Sequence, residues 1–222
     1  TGGWQVCSPS TAANFTAVGY YFARHLQQEI KVPIGLIGSN WGGTRIEPWV
    51  NLAGFESVPE LSGLAHEVKQ YKAGTRAGGS SPSAIYNSMV HPLAPFAMRG
   101  GIWYQGESNG NEGISYYHKK HALVKGWRET FQNRDLAFYW VQLANFQREN
   151  PKPTGGDGWA KIREAQTKAL DIPGTGMAVK SSATSGLSWD HYFKPLAGQE
   201  TSKIAEGGAE KFRVDASGME PN

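Results

Sequence analysis

Short apolar runs alternate with amphipathic stretches along most of this chain, and that alternation most narrows its fold. Residues 34–38 (Ile-Gly-Leu-Ile-Gly), 98–104, 136–143 and 176–180 are brief and apolar, as strands buried on both faces are. Residues 14–30, 59–73, 114–131 and 158–170 carry apolar side chains at helical spacing. In the first of these helices the spaced residues are Phe15, Val18, Phe22 and Leu26; in the third they are Tyr117, His121, Val124 and Trp127. Asn14 or Thr11 can cap the first helix, and Lys31-Val32-Pro33 closes it. A weak last helix is expected over residues 196–205. Strand followed by helix, repeated, demands right-handed crossovers between parallel strands. The expected fold is α/β, a three-layer sandwich with a central parallel sheet.

The 222 residues suit one domain, and neither a repeat nor a linker interrupts them. A net charge of +3 with both signs interspersed, and no basic run, argues against a nucleic-acid partner. The sequence contains no apolar stretch of the ~18 residues a membrane span needs. Cys7 is the only cysteine, which excludes an internal disulfide framework and a cysteine-rich metal site. H-E-x-x-H, G-x-G-x-x-G, the P-loop and the G-x-S-x-G elbow are all missing, so neither a metal nor a nucleotide cofactor is expected.

Ligands of parallel sheets bind beyond the carboxyl ends of the strands. Two unusual segments fall there. Ser39-Asn-Trp-Gly-Gly-Thr-Arg-Ile-Glu-Pro-Trp49 follows the first apolar run. Its paired glycines, Gly42 and Gly43, let backbone approach a ligand and aim N–H groups at a developing oxyanion. The same residues also read as a tight turn with Trp41 and Trp49 as packing. Gly101-Ile-Trp-Tyr-Gln-Gly-Glu-Ser-Asn109 ends the next strand. The Gln105 amide is a good oxyanion donor. Glu107 suits an orienting role, bonding backbone amides or Arg45. The alternative there is a polar loop that satisfies its own backbone. A third segment, Ser188-Trp-Asp-His191, holds a histidine next to a carboxylate in sequence, beyond the last apolar run. His191 is the candidate general base, with Asp190 beside it, although adjacent side chains usually point apart. A surface loop histidine is the alternative.

Three stretches together resemble the sialate O-acetylesterase family of the SGNH hydrolase superfamily. They are Val32-Pro-Ile-Gly-Leu-Ile-Gly-Ser-Asn-Trp-Gly-Gly-Thr-Arg-Ile-Glu-Pro-Trp49, Ile85-Tyr-Asn-Ser-Met-Val-His-Pro-Leu-Ala-Pro95 and Gly101-Ile-Trp-Tyr-Gln-Gly-Glu-Ser-Asn109. Weaker matches keep the same order to Gly176-Met-Ala-Val179. The resemblance implies an SGNH-hydrolase (flavodoxin-like) fold and a serine esterase that removes O-acetyl groups from carbohydrates, sialic acid or acetylated polysaccharide among them. It implies an oxyanion hole from Gly42 or Gly43 and Gln105, loop support from Glu107 and Asn109, and a pocket shaped by Arg45, Trp103 and Tyr104. It implies no cofactor. Because the family is often exported, a secreted or periplasmic location is expected over a cytoplasmic one.

Two features depart from that family. Its nucleophilic serine sits in a G-Q-S-N-type motif with no counterpart here, and its closing D-x-x-H motif stands as Ser188-Trp-Asp-His191. The expectation is an N-terminally truncated chain, beginning at Thr1 without Met, with a divergent tail from about residue 180. Ser39 is then the candidate nucleophile within the chain. The other source is a missing N-terminal segment, cleaved or supplied by a complementing chain; a homo-oligomer is the other partner expected, from an open sheet edge. A carbohydrate-binding remnant without turnover is the alternative function.

Overall fold

The computed structural model describes residues 3–13, 15–72, 78–144, 146 and 158–179, and the backbone of residues 180 and 193–195. Of these, the residues up to Asn40 form one compact unit and those from Trp41 onward form another.

The first unit is helical. Helix α1 (Pro9–Ala12) opens with a capping box, in which the Ser8 and Thr11 side chains each accept from the other's backbone N–H. Helix α2 (Ala17–Ile30) begins three residues later than the apolar spacing suggests, with Thr16 at its N-cap. Lys31 ends it in the left-handed conformation, at φ 58°, donating its N–H to the Gln27 carbonyl. The strand expected at residues 34–38 does not form. Ile34 and Leu36 are half-buried, while Gly35, Ile37 and Gly38 are exposed. An apolar run becomes a strand only when a neighbour completes its hydrogen-bond ladder, and among the described residues no strand pairs with this one.

The second unit holds the sheet. Its first helices are α3 (Leu52–Glu56) and α4 (Ser62–Lys69). The Asn51 side chain caps α3, accepting from Gly54 N–H at 2.7 Å, and donates at 3.0 Å to the Gly126 carbonyl. One amide thus starts α3 and fixes it to α5 (Ile114–Thr130). Strands β1 (Gly100–Trp103), β2 (Ala137–Gln142) and β3 (Thr175–Lys180) pair in parallel in that order. α5 crosses from β1 to β2, and α6 (Gly158–Lys168) crosses from β2 to β3. The two crossover helices pack on each other. Strand β4 (Phe193–Pro195) adds antiparallel to β3, so the sheet is mixed at that edge and not wholly parallel.

The core lies between sheet and helices. Phe138 and Trp140 of β2, Tyr116 and Leu123 of α5, Ile162 of α6 and Phe55 of α3 are all at most 1% exposed. Trp103 closes β1 at the centre of an edge-to-face aromatic group with Trp49 and Trp127. That group packs one end of the sheet tightly beneath the loop that leaves β1. The weak helix expected over residues 196–205 lies outside the described residues.

Candidate functional site

The loop that leaves β1 runs through Gln105 and Asn109 to Glu112, and it meets the loop that carries Gly43, Thr44 and Arg45. Gly106 makes the first bend possible. Its φ is 154°, and a Cβ there would stand 2.9 Å from Leu143 Cδ1 and 3.1 Å from Gln166 Nε2. The bend turns the following residues back over the sheet, and they form a short 3-10 turn, Glu107–Asn109.

Asn109 is the centre of the contact and is 1% exposed. Its Oδ1 accepts from Ile46 N–H at 3.0 Å and from Gln105 Nε2 at 2.8 Å. Its Nδ2 donates to Glu47 Oε2 at 3.2 Å and to Glu112 Oε1 at 3.1 Å. Every hydrogen-bonding position of that amide is used, as burial requires. Gln105 Nε2 also donates to the Thr44 carbonyl at 3.1 Å, while its Oε1 accepts from Tyr116 Oη at 3.0 Å. Ser108 Oγ donates to the Gly43 carbonyl at 2.8 Å. The loops are therefore clasped at both side-chain and backbone level.

An ion cluster lies under the clasp. Lys119 of α5, with only 7% of its side chain exposed, donates to Glu47 Oε1 at 2.7 Å and Glu112 Oε2 at 2.6 Å. Arg45 donates to Glu47 Oε1 at 2.9 Å and to the Ser108 carbonyl at 2.9 Å, and also pairs with Glu112. Burial works against ionising Glu47, but hydrogen bonds from Arg45 and Lys119 outweigh it and hold its carboxyl at about 2. The Glu47 hydrogen bond in turn raises Arg45 above its usual value. Two cations thus balance two carboxylates, with Lys119 and Glu47 buried and Arg45 reaching solvent at 45% side-chain exposure.

Above the cluster is a shallow cleft of roughly 190 Å³, lined by Arg45, Glu107, Ser108, Asn109, Gly110, Asn111, Glu112 and Trp159. Trp159 Nε1 donates to the Ala144 carbonyl at 2.7 Å, which fixes its ring on the cleft wall. Gly42 and Gly43 stand in an exposed turn, with open space on their Cβ sides and Gly43 at φ 74°.

The structure brings Arg45, Gln105 and Asn109 together in one network. Glu107 stays apart from Arg45: it is exposed, and its carboxylate makes no hydrogen bond among the described residues. Arg45 turns instead to Glu47 and Glu112. Trp103 lies in the core at 6% exposure and not on the cleft wall, because its side chain alternates to the packed face of β1. Tyr104 is half-buried, and burial, helped by the Glu107 charge, pushes its hydroxyl up to about 12. Ser39 belongs to the first unit and is half-buried. His191 and Asp190 lie outside the described residues. A different histidine meets a carboxylate: His121 Nε2 is 3.0 Å from Asp171 Oδ1, and Asp171 also accepts from Tyr117 Oη at 2.5 Å. That pair precedes β3, at the strand's amino end, away from the loops that follow β1.

Glu47, Glu112, Lys119 and Tyr116 escape the sequence reading. One signal for them exists: Lys119 and Lys120 interrupt an apolar helical stripe between Tyr116 and Leu123. Buried lysines are rare enough that such a position asks for a partner or a special environment. Lys120 has the second. Fully buried and without a hydrogen bond among the described residues, it sits 3.9 Å above the Trp140 ring, and burial pushes its amine well below the ordinary lysine value. No cluster of three or more histidine, cysteine, aspartate or glutamate side chains suited to a metal occurs among the described residues.

Residues 8–193 match the family described as carbohydrate esterase, sialic acid-specific acetylesterase. Human sialate O-acetylesterase is 34% identical over 177 residues, covering 74% of this chain and 32% of that protein. The rat protein of the same name is 32% identical over 205 residues, covering 75% of this chain and 37% of its own length. The chain thus spans about a third of the length of these curated relatives. Among solved structures, a carbohydrate acetylesterase from Xanthomonas citri is 39% identical with a TM-score of 0.65, over 81% of this chain and 38% of that one.

Proposed function

The chain belongs to the carbohydrate esterase family of sialic acid-specific acetylesterases, and from that premise we propose that the protein hydrolyses O-acetyl esters on carbohydrates. The observation that supports this most is the clasp itself. Gln105 Nε2, 3.1 Å from the Thr44 carbonyl, holds a side-chain amide beside the turn that carries Gly42 and Gly43. An esterase needs such fixed donors where negative charge develops on the acetyl oxygen.

In this reading a serine hydroxyl attacks the acetyl carbonyl and passes its proton to His191, with Asp190 or another carboxylate orienting the imidazole. The tetrahedral oxyanion is met by backbone N–H from Gly42 or Gly43 and by a Gln105 N–H that exchanges the Thr44 carbonyl for it. Collapse breaks the ester bond, and the sugar oxygen leaves with the histidine's proton. Water, deprotonated by the same histidine, then releases acetate and restores the serine. Asn109 holds Gln105 in place, and Arg45, Tyr104 and Glu107 border the substrate. The serine is Ser39 or one supplied from outside this sequence. A serine-directed phosphonate followed by peptide mapping separates the two: label on Ser39 supports the first. Hydrolysis without label on any serine of this chain supports the second.

A second reading is a protein that binds acetylated carbohydrate without cleaving it. One observation favours it: both Gln105 amide hydrogens are already bonded, to Thr44 and Asn109. Retained saccharide binding with no acetate release selects it.

A further inference from the structure

We propose that Lys119 is a positioning residue for the esterase, fixing the distance between the glycine turn and Gln105 through its two carboxylate partners. The inference rests on the esterase reading for its effect on turnover, and on geometry alone for its effect on the loops.

Lys119 is the only group from α5 that touches carboxylates of both loops. Glu47 lies 72 residues before it, in the 3-10 turn Glu47–Trp49 that ends the glycine loop. Glu112 lies seven residues before it, where the Gln105 loop enters the helix. The same two carboxylates receive Arg45 and the Asn109 amide, and Asn109 in turn receives Gln105. The path from the lysine amine to the Gln105 amide is therefore two side chains long. Removing the amine leaves Glu47 and Glu112, at 10% and 16% side-chain exposure, facing each other with Arg45 alone between them. Like charges in such a site separate or share a proton.

Few other charges face this spot. On α5, Lys120 points at Trp140 and not at the cluster. Glu60 pairs with His118 and Asp171 with His121, on other sides of the helix. From α6, Lys161 packs its stem beside Gly113 and does not line the cleft. The charges that meet at this spot are therefore those of Arg45, Glu47, Glu112 and Lys119, with Glu107 exposed on the cleft wall.

Two variants of the full chain test this, Lys119→Met and the charge-balanced pair Glu112→Gln with Lys119→Met. With a chromogenic acetyl ester at pH 7.5, Lys119→Met lowers kcat at least tenfold with little change in KM, because the lost contact acts on the transition state. The double variant recovers to within threefold of the parent. Full activity in Lys119→Met overturns the proposal. So does the absence of recovery in the double variant, the mark of general destabilisation. The Gln105 side-chain amide resonances give a readout independent of turnover. They shift in Lys119→Met and return toward parent positions in the double variant; unchanged resonances overturn the proposal. A parent without esterase activity whose Gln105 signals still follow Lys119 refutes the esterase reading and leaves the positioning intact.

Discussion

Gln105 Nε2 and the carbonyl oxygen of Thr44 stand 3.1 Å apart across 61 residues of sequence. That hydrogen bond joins the end of β1 to the glycine turn, and the site depends on it. Gln105→Ala is expected to lower turnover by ~10²–10³, the usual loss for an oxyanion donor. Steady-state kinetics check it, and a variant as fast as the parent removes Gln105 from the mechanism.

Asn109→Ala is expected to cost about 2–4 kcal/mol of folding stability. It leaves the buried Ile46 N–H and the Gln105 amide without their shared acceptor. Urea unfolding measures it, and a change below ~1 kcal/mol means that the loops do not need this amide.

Glu47 makes acid stability a test of the ion cluster. Its carboxyl is held at about 2 in the folded protein, against ~4.3 unfolded. The unfolded chain therefore binds the proton first as pH falls. The stabilisation is complete above the unfolded value and is lost as pH falls toward 2, on the order of 3 kcal/mol in all. Glu47→Gln is expected to be less stable at pH 7 and to show a smaller loss between pH 5 and 3. Denaturant melts at the two pH values decide, and equal acid losses in parent and variant contradict the cluster's role.

Lys120 acts in the opposite direction. The Trp140 face attracts an ammonium at 3.9 Å, but loss of hydration outweighs it and the folded amine is held well below the ordinary value. The unfolded chain then binds more protons, so stability rises with pH from the folded value up to the unfolded ~10.4. Lys120→Met is expected to stabilise the protein by about 1–3 kcal/mol at pH 7 and to flatten that rise. A destabilised variant at pH 7 with an unchanged slope means that the amine is charged and needed.

Much of the fold was legible because it rests on local periodicity. β1, β2 and β3 fall on the short apolar runs, and α5 falls on its helical spacing. Residues 34–38 show where that signal fails: their composition suits a strand, but a strand also needs a partner, and composition does not supply one. β4 is the converse, three residues that owe their conformation to pairing with β3. In the site, the glycines and Gln105 stand out by type and by their place after an apolar run. Glu47 and Lys119 do not, because nothing local links positions 72 apart. Asp190 and His191 are adjacent in sequence, whereas the described histidines that meet a carboxylate find it far along the chain: His121 meets Asp171, 50 residues away, and His118 meets Glu60. Adjacency in sequence is a weak guide to such pairs.

The central claim is that two clasped loops serve ester hydrolysis on a carbohydrate. Acetate release from an O-acetylated oligosaccharide by the purified chain, alone and together with any complementing chain that co-purifies with it, tests it most directly, with Gln105→Ala as the paired control. The expected result is release well above buffer that falls at least a hundredfold in the variant. Saccharide binding without acetate release above buffer, in parent and variant alike, contradicts the claim.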